Sequence, residues 1–471
     1  MGEHPPAQDR PLAPFVAKPT PALEAWRLEA SASASSVRCE HIGTCAGCTL
    51  EDPDAVPPVA SEAAAFFEAQ GMSPLEMRLG TPTGWRRRAK LAVRTHGGAL
   101  TLGLFMRDSH TLVPIVPGCL MHHPAINAAA ARIQDEARSL GVAAYAEGGQ
   151  GAPWSLRYVQ LTVDETSSTV QVGLCLNARR MAGGEGEEER DAKAAAVALG
   201  ERLLREGHDV WFNFNDKDTN TIFGPRWEPA GLPGQVPGTA PPRVWDSLGN
   251  GVAVPLAPGA FAQANGEMVR ELVETMADEV SKLEGSVTGK ILELYSGSGG
   301  LGLSLASRLG LRCQCVELNR ESYDAFQLAR STLLASPEFG AGRNPKGASA
   351  VAQSGLKVAD ASDPQVLREE LWGGTGEGDV VLVDPPRKGL HPATLDALCR
   401  VASSKRGVEA GGVKVRGPSA LVYVSCGFDA FKRDLKALRK ARWRLEHASA
   451  YRFFPGTNHV ELLAVLSRPM G

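Results

Sequence analysis

Cys426 stands where an apolar, β-rich run, Leu421 to Val424, stops, with Gly427 behind it. Past the glycine, Phe428, Phe431, Leu435 and Leu438 recur at helical spacing, so LVYVSCGFDAFKRDL predicts a buried strand, a tight turn and a helix. A thiol at the C-terminal edge of a parallel strand faces the crevice where open α/β sheets bind ligands, which is a place for a nucleophile. Packed away instead, it would be a small hydrophobe. RFFPGTNHVELLAVL sets Glu461 ahead of a final apolar strand, from which its carboxylate can fold back beside Cys426. A separate set, Cys39-x5-Cys45-x2-Cys48 in RCEHIGTCAGCTLED, has metal-ligand spacing, and Gly43 and Gly47 allow the loop to turn sharply. Cys119, in the Pro/Gly-punctuated VPGCLMHHPAIN, is the best fourth ligand. Four thiolates hold either zinc or an iron–sulfur cluster, and His41, His122 and His123 keep a mixed zinc site open.

The third set lies between residues 258 and 400. In KILELYSGSGGLG, Ile291 to Leu294 predicts a buried strand, the glycines a loop, and Leu301 onward a helix whose N-terminus offers free N–H groups. No Lys-Ser/Thr pair follows, which excludes a nucleotide-hydrolysing phosphate loop. One strand later CQCVELN ends in Glu317, placed to accept ribose hydroxyls, and LKVADA supplies Asp360 after a third strand. These imply a nucleoside-bearing cofactor, either a dinucleotide or S-adenosylmethionine. DVVLVDPPRKGLH decides for the latter: Asp379 to Val383 is a strand, the prolines form a rigid platform, and Asp384 stands beside the reacting centre. Enzymes that methylate exocyclic amines carry an aromatic residue where this chain has Arg387. RNA cytosine-5-methyltransferases carry a cysteine after the proline, and here there is none. In PGAFAQAN, Gln263 and Asn265 alternate with Phe261 ahead of a helix predicted over Gly266 to Lys282.

The elements that must carry these groups are those of an α/β protein with about two or three domains in its 471 residues. Residues 1–37, rich in Pro, Ala and Ser, are expected to be a tail without fixed structure. Glu3, Asp9, Glu24 and Glu29 argue against an organelle transit peptide, so the cytoplasm is expected, with plastid or mitochondrion as the alternative. Residues 38–123 combine the cysteines with a basic strand region. There Lys90 to Arg94 and Leu100 to Phe105 pair around a Gly97-Gly98 turn. Arg86, Arg87, Arg88, Lys90 and Arg94 beside Trp85 suit an RNA backbone with a base stacked nearby, or form a solvated edge strand. Residues 124–257 read as a mixed α+β segment facing RNA. It has helices at Pro124 to Leu140 and Lys193 to Leu204, strands near 156–163, 169–176, 210–215 and 243–254, and a charged loop from Gly183 to Arg190. Residues 258–471 form the Rossmann-like domain. The net charge of −3 confines any nucleic-acid contact to a local patch, and no run is long enough to cross a bilayer.

ELYSGSGGLG, VLVDPPRKGL, VYVSCG, FPGTNHVE and FAQAN together resemble the RNA uracil-5-methyltransferases, over the whole C-terminal region. The N-terminal cysteines resemble the set that holds a [4Fe–4S] cluster in the bacterial 23S rRNA branch of that family. The resemblance implies a class I S-adenosylmethionine-dependent domain joined to an N-terminal iron–sulfur, mixed α+β RNA-binding region. It implies Cys426 as nucleophile and Glu461 as proton acceptor, with Gln263, Tyr295, Gly300, Glu317, Asp360 and Asp384 around the cofactor. The family often has Asn where this chain has Gly300. Structured RNA, ribosomal in preference to transfer RNA, is the implied substrate of a monomer. The alternatives are a tRNA uracil-5-methyltransferase and a non-catalytic RNA-binding protein that kept the fold.

Overall fold

In-phase apolar runs, each too short for a helix and each followed by an amphipathic segment, set up the C-terminal architecture. The structure is a computed structural model that describes residues 39–468, apart from 73, 117, 149–150, 180, 182–185, 218–220, 232–242, 284–285, 341, 404–407, 411–412 and 416. The tail expected over 1–37 lies outside the described residues. The N-terminal elements are α1 (Pro58–Glu68) and β1 (Glu76–Arg78). Next come β2 (Arg88–His96), β3 (Ala99–Phe105), β4 (Leu112–Pro114), α2 (Pro124–Ser139), β5 (Leu156–Val163), β6 (Val170–Leu176), α3 (Glu187–Arg205), β7 (Asp209–Phe214) and β8 (Arg226–Pro229). These seven strands form one sheet in the order β4-β3-β2-β5-β6-β7-β8. Its β2–β3 turn is Gly97-Gly98 with φ of 58° and 80°, the left-handed pair that a two-residue hairpin demands. Helices α2 and α3 cover one face through Ile126, Ile133, Leu199 and Leu203, against Leu91, Val93, Val159 and Leu174.

The hairpin β9 (Trp245–Gly249) and β10 (Val252–Pro255) leads to α4 (Gly266–Ser281), capped by the Asn265 side chain on the Met268 N–H. Then follow β11 (Ile291–Leu294), α5 (Gly300–Leu309), β12 (Cys313–Glu317), α6 (Glu321–Ala335), β13 (Gly355–Val358), β14 (Val380–Val383) and α7 (Pro392–Ser403). The chain closes with β15 (Ala420–Ser425), α8 (Phe428–Lys440), β16 (Arg444–Tyr451) and β17 (Glu461–Ser467). The second sheet has eight strands in the order β1-β16-β17-β15-β14-β11-β12-β13, parallel except for β17, which runs against both of its neighbours. Strand order reverses between β11 and β14, so the ligand crevice opens above their C-terminal ends. No helix among the described residues is long and apolar enough to cross a membrane.

Four expectations shift. The boundary at 123/124 falls inside the seven-stranded sheet, which runs from β2 to β8. Residues 58–78 belong to the other sheet: β1 pairs with β16, and Phe67 of α1 packs 5.8 Å from Phe431 of α8. The β9–β10 hairpin, placed before residue 258, buries Leu248, Val252 and Val254 in the core of the Rossmann-like domain. The charged stretch from 187 to 190 is the first turn of α3, not loop. Glu187, Glu188 and Glu189 there complement the positive end of the helix dipole.

Candidate active site

β15 and β17 deliver the two candidate reacting groups, Cys426 and Glu461. Their antiparallel register runs from Ala420↔Ser467 to Ser425↔Leu462, so one further step sets Cys426 opposite Glu461. Glu461 is also the first residue of β17 to pair with β16, through Tyr451. Val383 of β14 lies beside Tyr423, which brings Asp384 to the same edge. Cys426 is half-buried and Glu461 only 8% exposed. Burial, then the charges of Glu461 and Asp384, push the Cys426 thiol up to about 11, while Arg387 pulls the other way. Burial and Asp384 hold the Glu461 carboxyl well above the usual carboxylate range, again opposed by Arg387. Burial lifts Asp384 to about 7. The site therefore pairs a protonated thiol with acids raised toward neutrality, a state suited to moving protons.

The turn behind the thiol is over-determined. A Cβ on Gly427 would stand 2.3 Å from the Arg387 carbonyl oxygen, so only glycine lets the strand end approach the Pro-Pro loop. Asp434 of α8, fully buried, accepts hydrogen bonds from the Leu390 N–H and the Tyr423 hydroxyl, both at 2.8 Å, and pairs with Arg433. It thereby ties α8 and β15 to the loop carrying Arg387. Nothing in the sequence reading pointed to Asp434. Its place in phase with the apolar Phe431, Leu435 and Leu438 was the available signal.

The crevice gathers the proposed cofactor residues. Tyr295 follows β11 with φ of 62°, unusual for a side chain with a Cβ, and its hydroxyl shares a 2.9 Å hydrogen bond with Thr394. Glu317, one strand across, accepts the Gly297 and Asn319 N–H groups, both at 2.8 Å. Asp360 is exposed past β13 and turned onto Ser362, whose hydrogen bonds hold its carboxyl below the usual range. Gly300 opens α5, and a Cβ there would meet Leu248 at 2.1 Å; the hairpin fills the space that a larger residue would need. The buried Ser296 hydroxyl has no partner among the described residues, and Leu318 and Val358 are exposed apolar side chains at the ends of β12 and β13. An unpaired hydroxyl and an apolar shelf beside Glu317 fit a bound nucleoside. Below the loop, Glu293 accepts from the Gly302 N–H at 3.0 Å and the Cys315 thiol at 3.2 Å. With Cys313 it makes a buried trio that anchors α5.

Gln263 is placed by its backbone. Arg87 Nε donates to the Gln263 carbonyl at 2.8 Å, Asp246 accepts from the Gln263 N–H at 3.2 Å, and Arg87 and Asp246 are themselves an ion pair. This corrects the basic patch. Arg87 is buried at 2% exposure. Arg94 is also buried, bonded to Glu147 and to the Val93 and Arg157 carbonyls and surrounded by the Phe105, Tyr145 and Tyr158 rings. Both are structural cations, withdrawn from any contact surface. Arg86, Arg88 and Lys90 instead line a cavity of about 780 Å³ that also reaches Phe261 and Arg387.

Cys39, Cys45, Cys48 and Cys119 line that same cavity. Burial raises Cys45 and Cys119, and Cys48 is pushed up to about 11 by burial and then by Cys119, Cys45 and Cys39, so the four sulfurs feel one another. His123 accepts from the Ala125 N–H as the cap of α2, which occupies the nitrogen it would need as a ligand on that side. Burial, then Arg86, depresses His122 to about 4.

No family model matches the chain. It is 26% identical over 447 residues to an uncharacterized RNA methyltransferase of Geobacter sulfurreducens, covering 92% of this chain and 77% of that one. The crystal structure of Pyrococcus abyssi tRNA (uracil-54, C5)-methyltransferase in complex with S-adenosyl-L-homocysteine shares the fold. Its TM-score is 0.60 at 21% identity, over 90% of this chain and 86% of that one. An uncharacterized RNA methyltransferase of Protochlamydia amoebophila is 32% identical over 436 residues, 93% of this chain and 99% of its own length. A match of that identity over that share of both chains shows the family, and by it the chain belongs to the RNA methyltransferases.

Proposed function

We propose that the chain methylates C5 of a uridine in structured RNA, ribosomal RNA in preference to tRNA, with S-adenosylmethionine as donor. The observation that carries this reading is the register that sets Cys426 opposite Glu461 beside Asp384. Uracil C5 is a weak nucleophile until a thiolate adds at C6. Cys426 gives up its proton to solvent and makes that S–C6 bond as the thiolate, and the C5–C6 π pair moves to C5, which gains the electron density to accept a methyl group. S-adenosylmethionine supplies that methyl as an electrophile. Glu461 then takes the C5 proton, the C5–H electron pair restores the C5–C6 double bond, and sulfur leaves C6. Asp384 orients the ring, and Arg387 offsets the negative charge between the two acids. Gln263, Tyr295, Gly300, Glu317 and Asp360 surround the donor, with Leu318 and Val358 as the apolar shelf for its base. The target base has to leave its stack, at about a few kcal/mol, and Arg86, Arg88 and Lys90 supply phosphate contacts toward that end.

The four N-terminal cysteines fit a [4Fe–4S] cluster better than zinc. Sulfurs about 2.3 Å from one zinc ion stand about 3.8 Å apart. Among the described residues, the one set of three or more candidate ligands within 4.8 Å of one another is Glu293, Cys313 and Cys315. The wider N-terminal set suits a larger cluster, for which Cys39, Cys45, Cys48 and Cys119 would be the ligands. The decisive experiment is incubation with 5-fluorouracil-substituted RNA and S-adenosylmethionine. Fluorine cannot leave as the proton does, so a denaturant-stable RNA–protein complex is expected, and Cys426→Ser removes it. Dissociation of the wild-type complex in denaturant would favour a binding protein that kept the fold. Mapping 5-methyluridine in RNA from cells lacking the protein separates ribosomal from transfer RNA.

A further inference from the structure

The cysteine loop and the segment that delivers Glu461 are one hydrogen-bonded unit. The two amides that follow Cys48, those of Thr49 and Leu50, both donate to the Gly456 carbonyl, at 2.8 and 3.0 Å. Two residues on, the Asn458 N–H donates to the Thr49 hydroxyl at 3.0 Å, and its side-chain oxygen accepts from the Val59 N–H at 2.8 Å. Gly456 has φ of 81°, and a Cβ there would sit 3.3 Å from the Cys48 sulfur, so the loop packs its bare backbone on a metal-ligand candidate. Phe454 closes the arrangement, stacked edge-on with Trp85 at 5.8 Å, and Arg86 lies over both rings. Arg452, just ahead, is buried and donates to the Leu79, Asp54 and Gly80 carbonyls. Cys426 is held otherwise, by the Gly427 turn against the Arg387 carbonyl and by Asp434.

We propose that the group held by Cys39, Cys45, Cys48 and Cys119 acts as a positioning device for Glu461, and so governs release of the methylated base rather than attack by Cys426. The inference rests on the uracil-5 reading above. Glu461 opens β17, paired with Tyr451 of β16, and the run from Gly456 to Val460 leads directly into it, so the placing of that run sets where the strand begins. Fixing the cysteine loop fixes that run. With the loop free, sulfur still adds and the methyl still arrives. The C5 proton then stays, the C5–C6 double bond cannot re-form, and the S–C6 bond persists.

The test compares Thr49→Val/Asn458→Ala, which leaves every cysteine in place, with Glu461→Gln and wild type. Each is incubated with S-adenosylmethionine and total RNA from cells lacking the protein, then quenched in denaturant. The expected result is that both variants accumulate a methylated covalent RNA–protein complex, on the order of tenfold or more above wild type, while product falls. General damage to the fold would lower complex and product together. If Glu461→Gln accumulates the complex and the double variant does not, the positioning role is overturned and the uracil-5 reading stands. If Glu461→Gln accumulates none, that reading fails as well. A second readout needs no turnover: stripping iron from the wild-type protein with a chelator should speed amide exchange over residues 454–462 and leave 420–435 unchanged. Equal protection at 454–462 before and after stripping overturns the proposal.

Discussion

At Cys426 the surroundings hold back the charge that the chemistry needs. Burial, then the two carboxylates of Glu461 and Asp384, disfavour the thiolate, and the Arg387 guanidinium is the counterweight. Replacing Asp384 with Asn removes a negative neighbour, so the thiol pKa should fall. Replacing Arg387 with Met removes a cation, so it should rise. The pH dependence of iodoacetamide labelling at the Cys426 peptide measures both. Wild-type labelling should climb about tenfold per pH unit from pH 7 to 9, with the Asp384→Asn curve displaced to lower pH and the Arg387→Met curve to higher. The proposed pair was legible in the sequence because each residue sits at the end of an unmistakable apolar strand. Arg87 was not, since a run of three arginines reads as one patch. Strand alternation puts Arg87 in phase with Ala89, Leu91 and Val93, all buried, and Arg86, Arg88 and Lys90 on the other side. Exchanging Arg88 and Lys90 for Gln should therefore lower the slope of log affinity against log salt by about 1.4–1.8 in RNA-binding titrations.

The strand–turn–helix from β15 to α8 is the element that carries the proposed nucleophile, and its rigidity comes from a buried acid. Asp434→Ala leaves the Leu390 N–H and the Tyr423 hydroxyl without their acceptor in an apolar setting, a loss of about 2–3 kcal/mol in urea denaturation. Tyr423→Phe gives up one bond and no orphan donor, so its cost should be nearer 1 kcal/mol. Elements of this kind could be read from periodicity: β5 and β11 fall where the apolar runs begin and end. Short elements escaped. β1 has three residues, and its partner β16 lies at the far end of the chain, so no local pattern announces it. The start of α3 was misread because consecutive glutamates resemble a solvated loop, although at a helix N-terminus they are favourable.

At the scale of the molecule, the seven-stranded sheet is inserted into the Rossmann-like domain, which takes up the chain both before β2 and after β8. The Arg87–Asp246 pair pins the junction, joining β2, β9 and the Gln263 segment. Arg87→Met strands the Asp246 carboxylate in the interior and should cost about 3–5 kcal/mol. Arg87→Met with Asp246→Leu should recover much of that in a double-mutant cycle, while affinity for donor stays reduced because Gln263 has lost both anchors.

The bond from Thr49 and Leu50 to Gly456 also sets a timetable for making the protein. A ribosome produces the three early cysteines first and the carbonyl that accepts the Thr49 and Leu50 amides about 400 residues later, which at roughly 5–20 residues per second is a wait on the order of 20–80 s. The nascent thiols spend that interval without the loop they will dock against. For the proposed cluster, metal delivery and protection from oxygen would matter most while translation is still under way.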